Sequence, residues 1–394
     1  MSVAYLTDHL IIGDGTYYSP GMVVMHGGGL VKYAGRPENN PVWVSRTEHK
    51  EGTLIPGFIN THTHLEHSWM KGKVKEGRGL EHFVGELARL RSDSPDLPTR
   101  RRAMDLAIRA MLRDGTVAAG DVSNGLTSLP IKKGGQIQWH TFVEVFETDD
   151  AAAQETIRKG MSLYEAFSGF GKTSLVPHSP YSVSPALLRL IGGRAVAAQE
   201  TLSIHHLETA GELEFFTRGS GPVAESLRAV GQELPASIPA GQRPLDFILP
   251  LLRGIRRLLL VNNVYASQED VLLSQQQAFP VTWVLCPGSN LFLEGRIPDV
   301  PLLRKHKLHI ALGTESLASC RTLSILRQMK IIQDHYREVP FSEMAVWATW
   351  NGAQALGLED QLGRIKAGTR PGLLQVTGLE GERITRKTKV TRLH

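Results

Sequence analysis

The chain has 394 residues, a formal net charge of +5, 41% hydrophobic and 21% charged residues, and two cysteines. The length allows two average domains or one large barrel with additions, and the composition is typical of a globular protein. Two cysteines exclude a disulfide framework, and the sequence holds no apolar run long enough for a membrane span.

The two ends of the chain bear on location and partners. The first residues lack the basic segment and apolar stretch of a secretory signal, so we expect a cytoplasmic protein. Basic residues concentrate in the tail 383–392, where they alternate with Ile384, Val390 and threonines. This pattern favours a strand with a solvated face over a nucleic-acid patch. We expect no nucleic-acid partner and no membrane partner, and the sequence leaves open whether the chain forms a homo-oligomer.

Short β segments precede residue 54, with a glycine turn before the last of them: Val3–Ile12, Met22–Met25 and Leu30–Tyr33. Alternating apolar residues around turn signals predict a small sheet. Further β-like segments begin at Leu373, near the other end of the chain. They could complete the same sheet.

From residue 54 onward, eight strand-like segments alternate with helix-like segments, which predicts parallel β/α units and a closed (β/α)8 TIM barrel. The predicted strands are Thr53–Asn60, Thr116–Val122, Ile137–Glu144, Ser174–His178, Leu202–His206, Arg257–Val264, Val281–Cys286 and His309–Gly313. The predicted helices are Leu80–Leu90, Arg101–Leu112, Ala151–Phe167, Ala186–Gln199, Gln268–Gln277, Val300–His306, Leu323–Tyr336 and one around Phe341–Leu356. The irregular segment Gly211–Pro250 predicts a lid or a long connection.

A His-x-His pair, His62 and His64, follows the first predicted strand. Residues two apart on an extended backbone point to the same side, so the two imidazoles would face one point. Neutral imidazole is a common ligand of zinc and related ions. The alternative is two polar residues in a surface turn, and the other strand ends decide between the two interpretations.

Polar residues at the carboxyl ends of parallel strands build the active sites of TIM barrels. The ends considered carry His62, His64, Glu66, His178, His205, His206, Glu208, Asn262, Asn263, Ser289, Asn290, Glu315 and Ser316. Three histidines and a carboxylate from strands one, five and eight would form a hydrolytic metal centre that leaves one position for water. Bound metal lowers the pKa of that water from roughly 16 to about 7. Glu208 could then carry a proton to a leaving nitrogen.

The sequence resembles the amidohydrolase superfamily, in the branch with cytosine deaminase and the chlorohydrolase-type deaminases, and is particularly similar to aminofutalosine-deaminase-like proteins. The resemblance covers about residues 3–378. The motifs that carry it are PGFINTHTHLE at 56–66, PHSPYSVS at 177–184, IHHLET at 204–209, CPGSN at 286–290, ALGTESLAS at 311–319 and GRIKAGTRPG at 363–372.

This resemblance implies a barrel of residues 54–362 beside a β-sandwich composed of residues 1–53 and 363–394. It implies one divalent metal ion, zinc in the first place, with iron and manganese as alternatives because the ligand set suits several metals. The site residues implied are His62, His64, His205 and Glu315 at the metal, Glu208, Glu315 and Asn262 in catalysis, and His178 at the substrate. Glu66, at the end of the first strand, could also bind substrate. For Glu66, capping or orienting its loop is the alternative role.

Two positions depart from the family pattern. Asn262 stands where the sixth strand usually ends in histidine, and Glu315 stands where the eighth strand usually offers aspartate. Asparagine can hold a water molecule but cannot gain a proton near neutrality. Glutamate adds a methylene group, and catalytic geometry is sensitive to displacements of about 1 Å.

Two functions follow from these features. The first is a metal-dependent hydrolase of carbon–nitrogen bonds other than peptide bonds, which deaminates a heterocycle or a nucleoside-like small molecule. Amide or cyclic-amide hydrolysis is its rival, because the same centre serves both reactions. The second is a binding protein of the same fold with little or no catalysis, in which Asn262 and Glu315 mark the loss of activity.

Overall fold

The structure is a computed structural model that describes residues 2–229 and 240–394. Residues 230–239, which belong to the predicted irregular segment Gly211–Pro250, lie outside the described residues. The strands are β1 Ser2–Ile11, β2 Tyr17–Tyr18, β3 Gly21–His26, β4 Leu30–Gly35, β5 Arg46–Pro56, β6 Phe58–Thr63, β7 Thr116–Ser123, β8 Gln138–Val145, β9 Lys172–Pro177, β10 Thr201–His206, β11 Arg257–Asn262, β12 Val281–Leu285, β13 His309–Leu312, β14 Leu373–Glu380 and β15 Arg383–Arg392.

Both ends of the chain enter one seven-stranded sheet, in the order β15-β14-β5-β1-β3-β4, with β2 paired to β1. Strand β14 joins the two ends by antiparallel pairing with β5, in which Leu374 lies opposite Ile55. Alternate residues of β3 enter different apolar clusters, because side chains alternate across a strand: Val23 and Met25 pack in one, Met22 and Val24 in the other. The pairing of the two ends in one sheet agrees with the sequence pattern. The sandwich and the domain limits remain predictions.

The strands β6 to β13 form two four-stranded parallel sheets, β6-β7-β8-β9 and β10-β11-β12-β13. The α/β fold with parallel sheets is therefore confirmed. The segment Leu258–Val261 of β11 is continuously apolar and fully buried, as expected for a parallel strand covered on both faces. The two sheets also meet each other. The backbone N–H of His205 donates to the carbonyl of His178 at 2.9 Å, and Thr63 forms a parallel bridge with Glu315.

The first predicted parallel strand, Thr53–Asn60, was wrong in its limits. Residues 53–56 complete β5 in the terminal sheet, and the parallel strand begins only at Phe58. Gly57 separates the two strands, and a Cβ atom there would lie 2.3 Å from the Val117 side chain. The apolar run hid this break because the last four residues of β5 and all of β6 are buried.

The helices are α1 Gly79–Ser92, α2 Leu97–Arg113, α3 Leu129–Lys132, α4 Ala153–Ser168, α5 Pro185–Ala198, α6 Ala210–Arg218, α7 Pro222–Ala229, α8 Pro244–Ile248, α9 Gln268–Gln275, α10 Pro287–Glu294, α11 Val300–Lys305, α12 Ile325–His335, α13 Phe341–Ala348 and α14 Trp350–Leu356. Side chains that cap helix N-termini fix several starts; Ser184 accepts from the Leu187 N–H and Thr209 from the Glu212 N–H. No described helix has the length and apolar character needed to cross a bilayer.

Two helix predictions need correction. The segment Gly211–Pro250 is not irregular throughout, because its described part contains α6, α7 and α8. The single helix predicted around Phe341–Leu356 is two helices, α13 and α14, separated at Thr349, whose backbone is not helical (φ −129°, ψ −82°).

Candidate metal centre

Three different strands bring the predicted metal ligands together. His62 lies in β6 and His64 directly follows that strand, so their side chains share one side while Thr63 points the other way. The Thr63 hydroxyl donates to the Glu315 carbonyl at 3.0 Å, which joins the end of β6 to the residues that follow β13. His205 lies in β10. The carboxyl ends of these strands thus converge.

The imidazoles of these histidines surround the Glu315 carboxylate. One carboxylate oxygen lies 3.2 Å from His62 Nε2 and 3.4 Å from His205 Nε2, and the other lies 3.3 Å from His64 Nε2. The His62 and His64 Nε2 atoms are 3.0 Å apart. All four side chains are buried, and their ligand atoms lie within 4.8 Å of one another.

The chemistry of this donor set fits one divalent cation. His205 Nδ1 donates to the His178 carbonyl at 2.8 Å, so in the neutral ring Nε2 carries the lone pair that a metal needs. His62 Nε2 faces His64 Nε2 in a buried site. Two nitrogen atoms at this separation share at most one proton, so at least one of them presents a lone pair to the site. Three imidazole nitrogens and one carboxylate form a common ligand set for zinc.

The electrostatics of the cluster reflect its enclosed carboxylate. Burial lowers the pKa of His205, but Glu315, Glu144 and Glu208 together raise it to about 10. Burial raises the pKa of Glu315, yet the neighbouring His62 and His205 hold it well below its usual range. The site therefore favours positive charge next to Glu315, which is also what a bound cation supplies.

Asn262 forms a hydrogen bond with the Glu315 carboxylate. Its side-chain nitrogen donates to Glu315 Oε1 at 3.1 Å, and its oxygen accepts from Asn290 Nδ2 at 2.8 Å. Asn262 and Glu315 have left-handed backbone conformations, with φ 83° and φ 57°. Asparagine tolerates this region better than most residues. The amide thus orients Glu315, and a direct catalytic contact of Asn262 with substrate stays a prediction.

A cavity of about 460 Å³ opens over the cluster. Glu208, which follows β10, lines it together with His64, His205 and Glu315. Burial, followed by the charge of Glu315, raises the pKa of Glu208 to about 8. A carboxyl group with a pKa near neutrality suits proton transfer. The remaining wall is largely apolar and includes Phe83, Val84, Leu87, Phe146, Tyr181, Val223 and Leu227.

The two predicted substrate residues lie in different surroundings. His178 lines the cavity, and its Nδ1 atom lies 2.8 Å from the Ser182 hydroxyl and 3.0 Å from the Ser179 hydroxyl. Glu66 accepts from the backbone N–H groups of Asn124 and Ser128 at 3.2 and 3.4 Å, and it is not among the described residues that line the cavity. These bonds agree with the alternative role for Glu66, which is to orient its loop. Its substrate contact stays a prediction.

His206, the neighbour of the predicted ligand His205, points elsewhere. Its Nδ1 atom lies 2.9 Å from the Asn263 side-chain oxygen, and its ring packs edge-on against Trp283. Successive residues of a strand point to opposite faces, so only one of this histidine pair can face the metal centre.

Asp121 and Glu144, near the ends of the second and third parallel strands, were not among the site residues predicted from the sequence. Asp121 in β7 accepts from the Leu65 N–H at 2.7 Å, and Lys132 pairs with Asp121 at 2.6 Å in a fully buried position. Glu144 in β8 lines the cavity. Burial raises its pKa, but His178, His64 and His205 lower it to about 2. The sequence could have indicated both Asp121 and Glu144, because each is a carboxylate near the end of a predicted strand.

Known proteins resemble this chain over most of its length. An adenosine deaminase from Helicobacter pylori is 26% identical over 333 residues, which cover 82% of this chain and 78% of that protein. The crystal structure of Helicobacter pylori aminofutalosine deaminase with methylthio-coformycin matches with a TM-score of 0.83 at 22% identity, over 98% of this chain and 97% of that one. An adenosine deaminase from Xanthomonas campestris, solved with bound zinc, matches with a TM-score of 0.74 at 19% identity, over 95% and 84% of the two chains.

The family follows from a broader match. Residues 53–388 match the amidohydrolase family. This matched range contains all four clustered ligands and both parallel sheets. The resemblance inferred from the strand-end motifs is thereby confirmed. Together with the metal-type cluster, these matches support a hydrolase and not the non-catalytic alternative. The chain belongs to the amidohydrolase family.

Proposed function

We propose that the protein is a zinc-dependent hydrolase that removes an amino group from a heterocycle or a nucleoside-like small molecule. The observation that carries this proposal is the convergence of three imidazoles and the Glu315 carboxylate beside Glu208, at the base of one cavity. The name of the adenosine deaminase relative supports the reaction and the substrate class. Zinc in the Xanthomonas campestris structure supports the choice of metal.

Each site residue has a separate task in this proposal. His62, His64, His205 and Glu315 would hold the ion, which supplies Lewis acidity toward water and substrate when bound. Glu208 takes a proton from the attacking water and returns it to the leaving nitrogen. Asn262 keeps the Glu315 carboxylate in position, and His178 contacts the substrate from the cavity wall.

We also propose that the two parallel sheets close into one (β/α)8 barrel, supported by the bonds between β9 and β10 and between β6 and the residues after β13. The composite β-sandwich predicted for residues 1–53 and 363–394 would contain the terminal sheet, whose strand β5 continues to Pro56. A cytoplasmic location and the absence of nucleic-acid and membrane partners remain predictions, and whether the chain forms a homo-oligomer remains open.

The test is ammonia release by the zinc-loaded protein from a panel of amino-purines, amino-pyrimidines and their nucleosides. Glu208→Gln should lower kcat by about 10²- to 10⁴-fold, because the amide cannot accept the proton that the carboxylate carries. KM and zinc content should change little, since Glu208 is outside the predicted ligand set.

Glu214→Gln is the matched control, because Glu214 is a partly exposed carboxylate paired with Arg218 nearby in the chain. It should retain full activity. Undiminished turnover in Glu208→Gln would remove the proton shuttle from the mechanism. Activity on cyclic amides with no ammonia release from the panel would replace deamination by amide hydrolysis.

A further inference from the structure

One carboxylate in the cavity has no role in the mechanism above. Glu144 lies at the carboxyl end of β8, where it lines the cavity next to His178 and Asn124. The residue is only 7% exposed. A carboxylate in such a position loses most of its hydration, so each of its oxygens needs a partner.

The described residues supply only one of those partners. Asn124 Nδ2 donates to Glu144 Oε2 at 3.0 Å. The other oxygen, Oε1, lies 3.8 Å from His205 Nδ1, which is beyond hydrogen-bond distance. The proton on that nitrogen is already donated to the His178 carbonyl at 2.8 Å. Among the residues that the structure describes, Oε1 therefore has no donor.

His178 provides a second polar group close to Glu144. Both neighbouring serine hydroxyls contact its Nδ1 atom, and Nε2 has no hydrogen-bond partner among the described residues. Atoms of Glu144, His178 and His205 lie within 4.8 Å of one another. A hydroxyl group both donates and accepts, whereas an ammonium group only donates. A hydroxyl can therefore satisfy the acceptor-only carboxylate while it also contacts the imidazole.

The surroundings limit what such a hydroxyl can be attached to. Phe146 and Tyr181 flank His178, with ring centroids 6.1 and 6.0 Å from its ring, and Phe83 and Leu87 of α1 also line the cavity. Glu144 and His178 thus lie close to the metal ligand His205 and share the cavity with these apolar side chains. It suits a substituent on the reacting ring and not the ring's own amino group, which must reach the metal centre.

We propose that Glu144 and His178 form a substrate subsite that binds a hydroxyl group on the substituent of the amino-heterocycle. This inference rests on the proposed deaminase function and names the feature of the substrate that the site selects. Glu144 is then a specificity-determining residue. The chemistry takes place at the metal centre and Glu208, and Glu144 does not take part in the proton transfer.

The experiment pairs a change in the protein with a change in the ligand, so that their coupling isolates one contact. The kcat/KM values of wild type and Glu144→Gln are measured for adenosine and for its 2′,3′-dideoxy and 5′-deoxy analogues. A hydrogen bond to a charged group is worth about 10- to 100-fold in such a ratio. Wild type should prefer adenosine over one of the analogues by this factor, and Glu144→Gln should lose most of that preference.

Two further variants make the result specific. Glu155→Gln removes an exposed carboxylate on α4 and should keep the wild-type preference. Glu144→Asp retains the charge but withdraws it by one methylene group, so its preference should lie between the other two. It also gives a second measurement if Glu144→Gln folds poorly. Zinc content is determined for every variant.

Three results would overturn the subsite. An equal loss on all three nucleosides would mean that Glu144 acts through His205 and not on the substituent. Two metal ions per chain, one of them lost in Glu144→Gln, would make Glu144 and His178 part of a second cation site. Zinc-loaded wild type that releases no ammonia from any amino-heterocycle would overturn the proposed function and the subsite together, which separates that failure from the other two.

Discussion

At the scale of single residues, the two departures from the family pattern are coupled. The sequence indicates that Asn262 and Glu315 are unusual, but it treats them as separate substitutions. In the structure the Asn262 amide bonds directly to the Glu315 carboxylate, and Asn290 holds the amide in turn. A neutral amide at this position can orient the carboxylate by a hydrogen bond and leaves its negative charge available to a bound cation. We infer that the pair belongs to one arrangement of the metal centre.

Glu212 gives a prediction at the same scale. Its side chain is fully buried in the first turn of α6, and burial raises its pKa to about 7 from its ordinary value of 4.5. The folded protein therefore binds a proton more tightly at Glu212 than the unfolded chain does. The corresponding stability is fully present below about pH 4.5 and is lost as the pH rises through about 7.

Glu212→Gln should remove this pH dependence, because glutamine has a similar shape and no charge. Relative to wild type, its free energy of unfolding should rise by roughly 3 kcal/mol as the pH increases across that window. Denaturant unfolding at a series of pH values measures the difference. Glu214→Gln, on the outer side of the same helix, is the control for a glutamate-to-glutamine change in α6. A constant offset for Glu212→Gln would contradict the prediction.

At the scale of elements, a buried ion pair connects α3, β7 and the segment that follows the metal ligand His64. Lys132 of α3 contacts Asp121 of β7, and the other oxygen of Asp121 accepts from the Leu65 N–H directly after His64. Lys132 also donates to Ser123 and Thr141 at 2.9 and 3.1 Å. The short helix α3 thereby fixes the turn that carries one of the ligands.

Lys132→Met should be strongly destabilising, by about 3–5 kcal/mol, because it leaves the Asp121 carboxylate buried without its counter-charge. The double change Asp121→Asn with Lys132→Met should recover most of the loss, since asparagine can still accept from the Leu65 N–H. Free energies of unfolding measure both. Lys133→Met, at the exposed neighbouring position, serves as the control. A double variant less stable than the single one would refute the ion-pair explanation.

At the scale of the whole molecule, the metal would connect strands that are far apart in the chain. His62, His205 and Glu315 come from β6, β10 and the end of β13, so one ion would bridge both parallel sheets. A ligand that binds only the folded state adds to its stability by mass action. Zinc should therefore raise the melting temperature of the entire chain.

Metal-depleted protein should show this rise on titration with zinc. A hundredfold excess over Kd corresponds to about 2.7 kcal/mol, and therefore to a shift of several degrees. Thermal unfolding with and without zinc measures it. His62→Ala should abolish the response, whereas His26→Ala, at an exposed position of the terminal sheet, should leave it intact. An equal zinc response in His62→Ala would place the ion elsewhere.

The sequence by itself determined the features that depend on local pattern and spacing. The alternation of apolar strands with helical segments predicted parallel sheets, and the spacing of His62 and His64 predicted two imidazoles on one side. It also predicted His205, Glu208 and Glu315, because each follows or ends an apolar strand. The sequence placed the strand limits less well, since the buried end of β5 and the start of β6 form one apolar run around Gly57.

Only the tertiary structure decided which distant side chains meet. In the sequence, Glu144 is one of many polar residues at strand ends. The structure shows that it lines the cavity and that only its Oε2 atom has a hydrogen-bond donor among the described residues. Glu66 turned toward backbone N–H groups 58 and 62 residues away. The Asp121–Lys132 pair likewise depends on a connection that no spacing encodes. Hydrogen bonds and ion pairs act over a few ångströms in space, and the chain sets those distances only when the sheets have packed.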